Sequence, residues 1–231
     1  MIPVLSVADM RSSDAAAIAG GVSGRELMRR AGEAIFRGVE WRPPVAIVCG
    51  SGNNAGDGYV LAALLREAEI PCRLFLLEEK FSEDGRYYFD RCAEAGIPWE
   101  IWNREDDFSS FGTIVDCVFG TGFHGAVTGK AREVIEKINA SGAYVVSVDI
   151  NSGLNGDSGI AETCVHSDLT VSVGSFQPGH FLSMAGDVIK EKINRDIGIA
   201  PKGKVIELLE EGDLASLFPE RTHFANKGTY G

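Results

Sequence analysis

Apolar and polar residues alternate along this chain in two kinds of block. Short runs that are apolar almost throughout, VAIVC (45–49), CRLFLL (72–77), TIVDCVF (113–119), YVVSVD (144–149) and LTVSVG (169–174), predict buried strands. Between them apolar residues return at helical spacing. Serines with an acid three residues on, SVAD (6–9) and SGRE (23–26), predict two helix starts near the beginning. The second leads into ELMRRAGEAIFRGVEW, and Pro43 and Pro44 then break the chain before the first run. Further helices are expected over about 57–69, over 82–95 and through REVIEKINA, with a short strand near 98–102; DVIKEKI and KVIELL stay unassigned. Strands alternating with helices mean a mostly parallel sheet covered on both faces, a Rossmann-like three-layer α/β/α sandwich. Such sheets bind ligands beyond the carboxyl ends of their strands, where strand order reverses. That rule selects loops 50–58, 120–129 and 149–159.

Composition narrows the ligand. A chain of 231 residues is one large domain, with or without a short appendage. Its 22 basic and 33 acidic side chains give a net charge of −11, which repels nucleic acid and anionic lipid. Cys49, Cys72, Cys92, Cys117 and Cys164 form no CxxC pair and read as buried free thiols in a reducing compartment. The start, MIPVLSVADMR, lacks the pattern of a signal peptide, and no apolar stretch nears the ~18 residues of a membrane span. A cytoplasmic location is expected.

The first loop, GSGNNAGDG (50–58), satisfies the dinucleotide pattern G-x-G-x-x-G/A, with Glu78 at the end of the second strand run. Asp57 opposes that reading, because a carboxylate would occupy the place where amides favour an anion. Asn53, Asn54 and Asp57 supply oxygens and amides suited to a hydroxyl, an amide or a hydrated cation. The plain alternative is an Asn-Asn turn with Asp57 as helix cap.

Asp116, inside an apolar strand, needs either neighbouring backbone amides or a cation. GTGFHGAVTG (120–129) is the better phosphate seat, with Thr128 as helix start and Lys130 in the first turn; His124 reads as incidental. Asp149 ends a strand at the ligand crevice and opens INSGLNGDSG, which fails as a calcium loop at Gly153 and Ile160. No hydrolase triad or zinc spacing stands out.

Taken together, LMRRAG (27–32), GSGNNAGDG (50–58), VDCVFGTG (115–122) and DINSG (149–153) resemble the NAD(P)H-hydrate epimerases, with SDLTVSVG (167–174) and PGHFL (178–182) in support. The resemblance covers roughly residues 5 to 220 in consistent order. It implies epimerisation of R- and S-NAD(P)HX, the hydrated cofactors, in a homodimer that works beside a dehydratase specific for S. It places substrate contacts at Asn53, Asn54, Ala55, Gly56, Asp57, Gly120, Thr121, Gly122, Phe123, His124, Gly125, Ala126 and Asp149, and a potassium ion at Asn54, Asp116 and Ser152. The reaction needs a group that gives and retakes a proton at the hydrated carbon, and Asp149 is the residue chosen for it.

Three departures are visible. Ala55 replaces a common glycine and is expected to bring a methyl near the ligand. Asn151 stands where many relatives have proline. Gln177 replaces a common lysine, which bears on phosphate preference. The tail RTHFANKGTYG (221–231) resembles the opening of a fused dehydratase domain, so residues 1–220 are expected to be the epimerase domain and the chain a piece of a bifunctional protein. An ordinary NAD-dependent oxidoreductase and a non-catalytic binding or dimerisation module are the rival readings.

Overall fold

A computed structural model describes residues 1–217; the tail 221–231, with the expected dehydratase opening, lies outside the described residues. In chain order the first half runs β1 (Ile2–Val4), α1 (Val7–Ala19), α2 (Gly24–Gly38), β2 (Val45–Cys49), α3 (Asn53–Glu67), β3 (Cys72–Leu76), α4 (Glu83–Glu94) and β4 (Trp99–Ile101). The second half runs β5 (Thr113–Cys117), α5 (Gly129–Ala140), β6 (Tyr144–Val148), β7 (Ser167–Val173), α6 (Ala185–Val188), β8 (Ile189–Arg195), β9 (Ile206–Leu208) and α7 (Glu211–Leu217).

Seven strands form one sheet in the order β4-β3-β2-β5-β6-β7-β8, and every pairing in it is parallel. Both faces are covered, which is why the strands are apolar throughout. Val45, Ile47 and Cys49 point one way, into a core with Ala31 and Ile35 of α2, Leu61 and Leu65 of α3 and Phe89 of α4. Ala46 and Val48 point the other way, against Val134, Ile135 and Ile138 of α5. The three layers follow from that two-residue period.

From β2 the chain builds outward through β3 to β4, then returns to β5 on the other side of β2 and continues to β8. The order therefore reverses between β2 and β5. Loops leaving these two strands part company, and a crevice opens between them.

The structure corrects one boundary and assigns a stretch left open. Helix α3 begins at Asn53, with Gly52 as a cap that offers no side-chain hydrogen bond, so Asp57 is not a cap but lies one turn inside the helix. DVIKEKI is not one element: its first residues end α6 and the rest is strand β8.

Two contacts give the LMRRAG segment its purpose. A Cβ on Gly32 would sit 2.4 Å from Val60 Cγ1, and one on Gly56 would sit 2.4 Å from Met28 Cε. Helices α2 and α3 approach too closely for side chains there.

The N-terminal segment is folded over the carboxyl ends of the strands. β1 pairs antiparallel with β9, and the Leu5 N–H donates to Phe176 O at 2.8 Å. Ser6 caps α1 by accepting from the Asp9 N–H at 3.0 Å, while Asp157, from the loop after β6, accepts from the Val7 N–H at 2.8 Å. Among the described residues no helix is long and apolar enough to cross a membrane.

Candidate active site

A cavity of about 580 Å³ lies at the reversal point. Ser51 to Asn54 and Asp57 line it from the first loop and α3, Gly120 to Phe123 from the loop after β5, and Asp149 from the end of β6. Helix α1 contributes Arg11 and Asp14. Leu27, Met28 and Ala31 of α2, with Val173, Ile197 and Ile199, supply an apolar wall. The three loops chosen from the sequence therefore meet at one mouth.

Asp149 is held from several sides. Its backbone is left-handed, with φ of 67°, a conformation aspartate tolerates better than most residues. The Asp149 N–H donates to Val171 O, and Oδ2 accepts from the Thr121 N–H at 2.7 Å. Gly120 must be glycine here, because its Cβ would lie 2.7 Å from Asp149 Oδ2. Burial raises the carboxyl's pKa and the hydrogen bonds from Thr121 pull it back.

Behind Asp149 sits His180, fully buried. Its Nε2–H donates to Asp149 O at 2.8 Å and its Nδ1 accepts from the Gln177 N–H at 3.0 Å, which fixes a neutral tautomer. Burial lowers its pKa from 6.5 to about 4. As pH falls through that window the unfolded chain binds a proton that folded His180 refuses, so stability is lost on the acid side. Replacing His180 with Gln is expected to remove about 3 kcal/mol of that acid-side loss. Urea titrations of both proteins at pH 4 and 7 check this, and equal pH slopes would contradict it.

Two more carboxylates share the cavity. Asp14 is pushed from 3.8 up to about 6, by burial and then by the charge of Asp149. Asp57 lies well above the ordinary carboxylate range, through burial and then through Asp149 and Asp14. Neither side chain has a hydrogen bond or ion pair among the described residues. Asp14 was not among the residues chosen from the sequence: it looks like any polar residue on an amphipathic helix until α1 is folded over the site.

Asp116 lies beneath the cavity, fully buried. Its carboxylate accepts from the Ser152 N–H at 2.9 Å, Ser152 Oγ at 2.5 Å, Ser147 Oγ at 2.9 Å and the Val118 N–H at 3.2 Å. Ser152 Oγ also accepts from the Phe119 N–H at 2.8 Å. This network ties the loops after β5 and β6 together. Asn54 is 7% exposed and donates through Nδ2 to Val148 O at 3.3 Å, while its Oδ1 has no partner. The orphan oxygen, a buried carboxylate with no cationic side chain paired to it among the described residues and the absence of sulfur and imidazole in the set fit a hard cation.

Not every chosen residue reaches the cavity. Ala55 belongs to the core and Gly56 faces Met28, so the extra methyl at 55 packs inward and does not approach a ligand. Gly125 and Ala126 line a separate, smaller cavity with Phe123. His124 is exposed and its Nε2 lies 3.3 Å from Arg11 Nη2. Lys130 donates to Leu77 O at 2.9 Å and lies outside the cavity lining, which weakens the phosphate seat foreseen at that helix start. Glu78 is exposed and also lies outside it. Gln177 is buried, donates through Nε2 to Ser175 O at 2.8 Å and lies outside the cavity lining. Asn151 fills the proline position with a buried network, donating to Val165 O and Val188 O and accepting from Thr170 Oγ1.

A parallel α/β sandwich whose reversal point holds carboxylates and amide-rich loops is a small-molecule site of the Rossmann-like class. Residues 24–179 match the family described as YjeF-related protein N-terminus, and the chain belongs to it. An NAD(P)H-hydrate epimerase of Oenococcus oeni is 39% identical over 161 residues, covering 66% of this chain and 76% of that protein. A bifunctional NAD(P)H-hydrate repair enzyme of Thermofilum pendens is 32% identical over 228 residues, 91% of this chain. The chain spans 43% of that protein's length and 48% of a like-named one from Coxiella burnetii. The crystal structure of the yeast protein YNL200c matches with a TM-score of 0.70 over 89% of this chain and 99% of the yeast one; at 21% identity it establishes the fold.

Proposed function

We propose that the chain epimerises R- and S-NAD(P)HX at the hydrated carbon of the nicotinamide ring. The observation that carries this reading is Asp149, a carboxyl group lining the cavity and held there by the Thr121 N–H, between the glycine-rich loops. The reacting carbon bears a hydroxyl and the ring nitrogen, so it is a hemiaminal. Protonating the hydroxyl lets the nitrogen lone pair expel water, and re-addition to the other face inverts the centre; opening of the ring to an aldehyde is the other route. Either needs a proton given and recovered at the carbon, and the Asp149 carboxyl takes part in that exchange. Asp57, with its carboxyl in the cavity, speaks against an ordinary dinucleotide oxidoreductase, because a pyrophosphate on this turn would meet it. A non-catalytic module would bind the hydrate without interconverting its epimers, and following a single purified epimer separates the two.

Asn54, Asp116 and Ser152 would hold a potassium ion, which would supply positive charge beneath the loops and leave proton transfer to the carboxyl groups. Epimerisation is expected to weaken when potassium is exchanged for sodium or tetramethylammonium; a rate indifferent to the cation would reduce the set to a structural network. A homodimer, an S-specific dehydratase acting downstream and a cytoplasmic setting complete the reading. The relatives' bifunctional name supports the second, and five free cysteines support a reducing compartment.

A further inference from the structure

We propose that Asp14 and Asp149 act as a pair of proton carriers, each serving one face of the hydrated ring; this rests on the epimerase reading above. Inversion through water loss needs a proton donor where the hydroxyl departs and an acceptor where water returns on the opposite face. Asp149 cannot serve both. Its Oδ2 is fixed on the Thr121 N–H at 2.7 Å, its backbone is locked by His180 and Val171, and Gly120 packs directly against it. A second carrier must come from another wall.

Asp14 fits that need. It enters the cavity from α1, whereas Asp149 enters from the end of β6, and its carboxyl is bound to no protein group among the described residues. The other charged groups lining the cavity are Arg11, Asp57 and Asp84. Arg11 is turned to Gly122 O at 3.1 Å, and Asp84 is paired with Arg25 at 3.2 Å. Asp57 lies well above the ordinary carboxylate range, first through burial and then through Asp149 and Asp14. Asp14, raised to about 6, holds or releases a proton near neutral pH. The cavity carries an independent mark of a ligand site in Asn54 Oδ1, a buried acceptor lining it without a partner.

The step balances. The Asp14 carboxyl gives its proton to the hydroxyl, the C–O bond breaks, water leaves and the ring nitrogen shares its lone pair with the carbon. Water adds from the other face, a new C–O bond forms, and its surplus proton passes to the Asp149 carboxylate. Nothing is oxidised or reduced. Turnover in the reverse direction, or exchange with solvent at the mouth, restores the pair.

The test measures rates with a single epimer, pH profiles and melting temperatures for wild type, Asp14→Asn and Asp14→Glu. Asp14→Asn is expected to lower kcat about 10²–10⁴-fold in both directions with KM within about threefold, and to lose the alkaline limb of the profile. Asp14→Glu is expected to restore part of the rate. The asparagine variant is also expected to melt roughly 2–4 °C higher than wild type at pH 7.5, since an uncharged group relieves the crowded carboxyls. A kcat within threefold of wild type, a change confined to KM, or a lower melting temperature in Asp14→Asn would each overturn the proposal while leaving the epimerase reading in place. Wild-type protein that fails to interconvert the epimers would overturn both.

Discussion

Replacing Asp149 with asparagine is expected to leave the hydrated cofactor bound and to slow its epimerisation about 10²–10⁴-fold. The variant is a clean one. Asparagine tolerates the left-handed backbone of this position, and its Oδ1 can still accept from the Thr121 N–H. The carbonyl remains available to His180. Shape and anchoring persist, and only the capacity to exchange a proton is removed. The expected signature is a fall in kcat with KM nearly constant. Unchanged turnover would remove Asp149 from the chemistry, whereas a rise in KM alone would reassign it to binding.

The second large effect is on stability. Asp116→Ala is expected to cost about 3–5 kcal/mol, read as a lower urea midpoint. Four donors lose this acceptor together, the Ser152 and Val118 N–H groups and the Ser147 and Ser152 hydroxyls, of which the Ser152 hydroxyl keeps Phe119 O at 3.1 Å. Each donor left buried without a partner costs about 1–3 kcal/mol, offset in part because a desolvated carboxylate also disappears. Because the same network joins the loops after β5 and β6, the rate should fall with the stability. A loss below about 1 kcal/mol would mean that the carboxylate is held by something other than these four bonds.

The sheet was legible in the sequence because a parallel strand buried on both faces must be apolar throughout, and VAIVC and TIVDCVF are so. The position of the site was legible for a related reason: alternation fixes the sheet, and the sheet fixes where its carboxyl ends lie. What failed was local. The start of α3 was misplaced because Gly52 caps it without a side chain, leaving no serine or aspartate to mark the boundary. The resemblance places a ligand contact at Ala55 as part of a continuous run, but adjacent helical residues face different ways and the Ala55 side chain belongs to the core. Asp14 could not be found at all. Its place beside Asp149 depends on the pairing of β1 with β9 and on Asp157 capping α1 from a distant loop, and neither contact leaves a trace near residue 14.

In the proposed reaction, acidic side chains brought together from separate parts of the chain pass protons at one hydrated carbon. Chiral separation of a time course started from pure R hydrate tests this most directly, with wild type and Asp149→Asn run side by side. Wild type should carry the sample to a mixture of both epimers well before the spontaneous reaction does, and the variant should track the spontaneous rate closely. Equal curves for the two proteins, whether both fast or both at the background rate, would contradict it.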